Sequence, residues 1–290
     1  MFSALDPEEL EKGFVAWVSS IARLTAGEVV AIDGKALRGT SESGKKAIVH
    51  MVSAWANTNG LVLAQRKVDE KSNGITAIPK LSEALELSGT VVAIDAMGCQ
   101  RSIAAKIVEK KADYILAVKE NQGHLLEEIE DSFQMLAADA VAEEIDCGHG
   151  RVESRRCSAI ADLSLVEKAA AWARLQGLVR IEAERYRKAT GKTERETRFY
   201  ITSLKPDAAR LNRAIRQHWG IENKLHWTLD VSFGEDLDRK RTGHAAQNFS
   251  ILNRIALNLL QQERTCKLGI KSKRLKAGWD NDYLLHLLRN

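Results

Sequence analysis

One pentapeptide occurs twice. Val-Val-Ala-Ile-Asp stands at residues 29–33 and again at 91–95. An apolar run of this kind suits a strand covered on both faces, since a half-solvated strand would alternate apolar with polar. Each copy finishes on a carboxylate. An ionised carboxylate buried without a partner is costly, so each aspartate needs a pairing group or a cation. If the two strands are neighbours, the carboxylates face and repel each other. A shared Mg2+ removes that repulsion, because this ion favours one or two carboxylates together with waters and phosphate oxygens. Taken singly, either aspartate reads more readily as a turn or N-cap residue at a strand end, and the identical pair shifts the reading toward a shared site. The residues that follow the two copies differ, which excludes a domain repeat.

The pattern around the copies changes period along the chain. Residues 5–24 place Leu10, Phe14, Trp17, Val18, Ile21 and Leu24 on one helical face, opening abruptly as though more chain preceded them. Three strand-like runs follow, EVVAIDGKAL, KAIVHMVSAWAN and LVLAQRKVDE, with a Gly/Ser-rich turn after the first and Asn59-Gly60 as a hairpin signal after the second. TAIPKLSEALELSG predicts a helix ending at Gly89. A strand, a helix (CQRSIAAKIVEKKA) and a strand (DYILAVKEN) then imply parallel pairing, and GHLLEEIEDSFQMLAAD predicts another helix. Residues 143–205 read as a β-rich insertion, residues 206–262 as helical, and residues 263–290 as a basic tail. With an N-terminal helical piece over 1–27 and a first core part over 28–142, the expected class is α/β, a mixed sheet with flanking helices.

Composition excludes several alternatives. The 290 residues carry 43 Lys+Arg against 39 Asp+Glu, an excess too small to announce a nucleic-acid partner by itself. No apolar run approaches the roughly 20 residues that span a bilayer. The acidic opening lacks the order of a secretion signal. Cys99, Cys147, Cys157 and Cys266 lack C-x-x-C spacing, which argues for reduced thiols rather than a zinc cluster or disulfides. A cytoplasmic protein with no membrane partner is expected.

A third acid is suggested near the end. Leu211, Ile215, His218, Glu222, Leu225 and Leu229 follow alternating spacings of four and three, one continuous helical face. A glutamate in a buried stripe calls for a metal, a phosphate, a salt bridge to an arginine such as Arg213 or Arg216, or an end-of-helix location. His218, Glu222 and His226 could alternatively offer zinc ligands, although three ligands over two turns splay widely and no H-E-x-x-H is present.

VVAIDGKALRG, VVAIDAMGCQ, YILAVKENQ, HGRVESRR and HWGIENKLHWTLDVSFGEDLDRKRTGHAAQN occur in this order. Together they resemble bacterial insertion-sequence transposases of the DDE type, in the branch that includes the H-repeat-associated proteins, over nearly the whole chain. The resemblance implies a ribonuclease-H-like core interrupted by a β-rich insertion before the last catalytic helix. It implies that Asp33, Asp95 and Glu222 are catalytic and bind Mg2+, with Mn2+ able to substitute. Two ions roughly 4 Å apart would clamp the scissile phosphate. The implied partners are double-stranded DNA, as element terminal repeats and target, and a second copy in a homodimer on DNA; the implied location is the bacterial nucleoid when DNA is bound.

In this light the basic residues acquire roles as phosphate contacts. Lys35, Arg38, Lys119, Asn121, Arg151, Arg155, Arg156, His218, Arg239, Lys240 and Arg241 are the DNA-binding candidates, and Lys271, Lys273, Arg274 and Lys276 form a further cluster. The pattern departs from many relatives on the last catalytic helix. Ile215, His218 and Leu229 stand where those carry Tyr, Arg and Lys, so the helper roles are not carried over. Glu235 and Asp236 are reserve candidates for the third acid. Two rival expectations remain: a truncated, non-catalytic DNA-binding remnant, and a metal-dependent phosphatase or nuclease built on the paired aspartates.

Overall fold

A computed structural model describes residues 2–40, 48–68, 74–148 and 150–289. The Gly/Ser-rich connection at residues 41–47, the end of the third strand-like run at residues 69–70, and His149 of HGRVESRR lie outside the described residues. The chain divides into two compact units: Met1–Glu86 with Trp219–Asn290, and Leu87–His218.

The first unit opens with α1 (Pro7–Ile21), whose start is written in the sequence. Pro7 occupies the first turn and the Asp6 carboxylate accepts the N–H groups of Glu8 and Glu9. Its buried face carries Phe14 and Val18. An antiparallel meander follows, of β1 (Val29–Leu37), β2 (Val49–Ala56) and β3 (Leu61–Lys67). The hairpin expected at Asn59-Gly60 is present, with Gly60 at φ +65. The Glu28 carboxylate accepts the N–H groups of Thr58 and Asn59 and fastens this turn.

The strand-like run EVVAIDGKAL forms to its end: β1 pairs with β2 through Leu37, with Asp33 opposite Ser53. Asp33 is therefore a mid-strand residue. The helix predicted to reach Gly89 stops early, as α2 (Gly74–Glu83), and the following Leu85 and Leu87 are buried outside regular helix. The rest of this unit is helical: α6 (Ala245–Gln262), α7 (Ile270–Trp279) and α8 (Asn281–Arg289). The Asn258 side chain of α6 bonds both backbone groups of Val62 on β3, at 2.9 Å each. The basic C-terminal stretch is thus not a tail. Tyr283 and Leu287 of α8 pack on Leu260 of α6.

In the second unit, β4 (Val91–Ile94) runs parallel to β5 (Asp113–Val118) through α3 (Arg101–Glu109), as the strand–helix–strand pattern requires. After α4 (Gly123–Met135) come β6 (Ala140–Gly148), β7 (Arg151–Ile160), β8 (Gly177–Arg187) and β9 (Lys192–Thr202), each antiparallel to the next. β9 also pairs antiparallel with β5. The β-rich stretch therefore continues the sheet of β4 and β5, a mixed sheet with helices beside it. α5 (Ala208–His218) lies against β4, β6, β7 and β8.

Candidate active site

Asp33 and Glu222 belong to the first unit and Asp95 to the second. Asp33 projects from β1 with a third of its side chain accessible, 32%. Its Oδ2 lies 3.2 Å from Nε2 of His226. Two residues along the same strand face, the Lys35 ammonium pairs with Asp230, and it lies 3.4 Å from Glu235 and 3.6 Å from Asp236.

His226 and Asp230 come from a chain segment wound in π-helical turns, at Ile221–His226 and Leu229–Phe233. A π turn holds more residues than an α turn, so the buried stripe shifts around the segment. Ile221, Leu225 and Leu229 are buried, while Glu222 is exposed. This corrects the expectation of a glutamate within the buried stripe: the winding carries Glu222 to the surface. No arginine is needed to explain it there.

The reserve acids have other partners. Glu235 is buried, 4% accessible, and its carboxylate accepts hydrogen bonds from Arg254 and Ser250. Burial pushes its pKa up, but the charges of Arg254 and Lys35 outweigh this and hold it below the usual carboxylate range. Asp236 lies 3.6 Å from the Arg38 guanidinium. Gly39 is required nearby, because a Cβ there would stand 2.2 Å from the Asp238 carbonyl oxygen.

In the second unit Asp95 directly follows β4 and leads a short 3-10 turn, Ala96–Gly98. Its carboxylate is 39% accessible and lies 3.2 Å from the Lys119 ammonium at the end of β5. Burial raises its pKa, yet the Ala96 N–H, Lys119 and His218 together bring it below the ordinary value. The turn is braced from behind: the Asn121 amide donates to Ala96 O at 2.8 Å and Gln122 to Cys99 O at 2.9 Å. His218 is buried, with Nδ1 3.1 Å from Ala93 O. His218 and His226 thus engage different partners, the β4 backbone and Asp33.

The basic candidates fall into two groups. Arg38, Lys119, Asn121, Arg151, Arg156, Arg239 and Lys240 are exposed, and Arg241 is half-buried with its Nε–H on Gly39 O at 3.0 Å. Lys35, Arg155 and His218 are buried, which takes them off the surface where a phosphate backbone would pass. Lys35 is held by three carboxylates, Arg155 lies on the inward face of β7, and His218 turns toward β4. The Lys273 ammonium donates to Leu260 O and Glu263 O, and is likewise buried. A separate trio, His124, Glu128 and Glu167, brings its ligand atoms within 4.8 Å of one another. Two of its members are exposed, and His124 Nε2 lies 3.3 and 3.2 Å from the two carboxylates, a hydrogen-bonded tie between α4 and the loop before β8.

The DDE domain of transposases matches residues 25–259, a span that contains all three acids and the segments that hold them. The chain belongs to this family of transposases. It is 41% identical to "Putative transposase YncI" of Escherichia coli O157:H7, over 99% of this chain and 75% of that protein. It is 37% identical to "H repeat-associated putative transposase YhhI" of Escherichia coli K12, over 99% of this chain and 78% of that protein. Among solved structures, a piggyBac transposase synaptic complex with hairpin DNA gives a TM-score of 0.49 at 13% identity, covering 91% of this chain and 52% of that chain. No helix among the described residues is long and apolar enough to cross a membrane.

Proposed function

We propose that this chain is a DNA transposase that hydrolyses phosphodiester bonds at the ends of its element and joins the freed 3′ ends to target DNA. The carrying observation is the family match over residues 25–259, which includes Asp33, Asp95 and Glu222. In this reading the three carboxylates act at one site, on a core of ribonuclease-H type in which residues 143–205 are the insertion. The donor set suits Mg2+ or Mn2+. All three are hard oxygen ligands, Asp33 and Asp95 are partly accessible, and Glu222 is exposed, so bound waters and phosphate oxygens can complete the coordination. The cation supplies Lewis acidity to phosphoryl transfer when bound.

The residues of the chain do the rest. Asp33 and Asp95 are each held by a second side chain, His226 and Lys119, and so present defined oxygens. Lys119, half-exposed beside Asp95, is placed to follow a phosphate. Arg38, Asn121, Arg151, Arg156, Arg239, Lys240 and Arg241 contact the DNA backbone, while Lys35, Arg155 and His218 act as buried supports. In hydrolysis a water oxygen attacks the scissile phosphorus and the strand's 3′ oxygen leaves with a proton. In strand transfer that 3′-hydroxyl attacks a target phosphorus and displaces a target 3′ oxygen. No bond to the protein forms. A homodimer bridging two element ends completes the reading.

The test is a labelled duplex spanning the element boundary, incubated with the chain in Mg2+, Mn2+ or Ca2+. A nick at the boundary with Mg2+ or Mn2+ is expected, falling to background in Asp33→Asn and Asp95→Asn proteins that keep the wild-type circular dichroism. Undiminished nicking by Asp95→Asn would overturn the reading. Salt-sensitive DNA binding with no nick in any metal would identify a non-catalytic remnant instead.

A further inference from the structure

Glu222, His226 and Asp230 are spaced by four along the π-wound segment. Asp33 and Lys35 are spaced by two along β1. The strand and the segment are joined by two rungs: Asp33 to His226, and Lys35 to Asp230. Slipping the segment by one residue would break both rungs.

The upper rung has a feature that packing does not explain. His226 is 8% accessible on a segment whose Ile221, Leu225 and Leu229 are also buried, and a leucine in its place would bring no polar atom to satisfy. Its Nδ1 is buried with no hydrogen-bond partner among the described residues. Such a group is kept only where something offsets its loss of water. Among the described residues its one polar contact is to Asp33 Oδ2. A carboxylate only accepts, so Nε2 carries the proton and donates it.

We infer that His226 is the positioning residue of Asp33. Its Nε2–H occupies Oδ2, fixes the rotation of the carboxylate, and turns Oδ1 toward a divalent cation. The inference rests on the reading of Asp33 as a metal-binding acid. Groups that orient a ligand in this way act through it, and losing one weakens metal binding by about 10–100-fold.

The test reads Mn2+ binding to the full chain without DNA, by the electron paramagnetic resonance signal of free Mn2+. Asp33→Asn should weaken binding, and His226→Leu should weaken it about 10–100-fold with the fold intact by circular dichroism. His226→Gln, whose amide nitrogen reaches the Nε2 position, should restore most of the affinity. His226→Asn, whose amide reaches only the Nδ1 position, should not. If His226→Leu binds Mn2+ as tightly as the wild type while Asp33→Asn does not, positioning is overturned and the metal-binding role of Asp33 stands. If Asp33→Asn binds Mn2+ unchanged, the metal-binding reading fails and the inference with it. Should His226→Leu fail to fold, the Gln and Asn variants decide, and equal affinities would overturn the inference.

Discussion

The two units use the same pairing, arginine with glutamate, at opposite extremes of solvent access. In the first unit Arg254 and Glu235 have side chains only 0% and 3% accessible, and Lys35 joins them. In the second, the outer ends of β6–β9 carry a ladder of pairs in the open: Arg195 with Glu184 at 79% and 48%, Arg187 with Glu194, and Arg156 with Glu143. A buried pair has shed its hydration and depends on its partner. An exposed pair keeps most of its hydration, and salt screens what remains. Charge runs that look alike in sequence are therefore different objects: one holds helices to a strand, the other keeps a sheet soluble and its edge strand β6 unattractive to other strands.

The strongest way to break this comparison is Glu235→Gln. It leaves the buried Arg254 guanidinium without its carboxylate partner while Lys35 keeps Asp230 and Asp236, and should cost about 3–5 kcal/mol in urea unfolding followed by tryptophan fluorescence. A loss below about 1 kcal/mol would put this cluster in the same class as a surface pair.

Acid sharpens the comparison. Glu263 has its carboxylate between α6 and α8. Burial raises its pKa, and hydrogen bonds from the Thr265 hydroxyl, the Cys266 and Thr265 amides and the Tyr283 hydroxyl more than reverse this, to about 2. Glu235 is shifted in the same direction. Folded values below the ordinary 4.5 mean that their contribution to stability is complete above pH 4.5 and is lost as pH falls toward 2. Hydrogen-exchange protection in α6–α8 should therefore fall over that range, and Glu263→Gln should flatten the dependence. Protection that holds unchanged to pH 2 would contradict this.

The smallest effect belongs to the ladder. Arg195→Ala should leave urea unfolding nearly unchanged, and any small effect should shrink further in high salt. A larger loss would mean that the open pairs act as one network.

Much of this was legible beforehand because local rules and tertiary structure agree. Asp6-Pro7 starts a helix, Asn59-Gly60 turns a hairpin, and the strand–helix–strand pattern yields parallel β4 and β5. What escaped depends on partners distant in sequence. The helix expected to reach Gly89 stops at Glu83, with Leu85 and Leu87 buried outside it. Glu222 leaves the buried face because the segment winds as π rather than α, which a 3.6-residue template does not represent. Lys35, Arg155 and Lys273 look like surface cations until the carboxylates, sheet faces and carbonyls that bury them are brought in from elsewhere. α7 and α8 hid within a basic stretch, although the spacing of Tyr283 and Leu287 was there to be read.

The first unit is discontinuous, and this bears on how it is made. A ribosome finishes residues 87–218 while the meander of β1–β3 still waits for α6, whose Asn258 closes on Val62. Residues 87–218 thus have all the chain of their own unit once they are made, while residues 1–86 must wait for residues 219–290. A frameshift or early stop after residue 218 does not trim the C-terminus of this protein; it strands the N-terminal sheet, with Asp33 on it, unfinished.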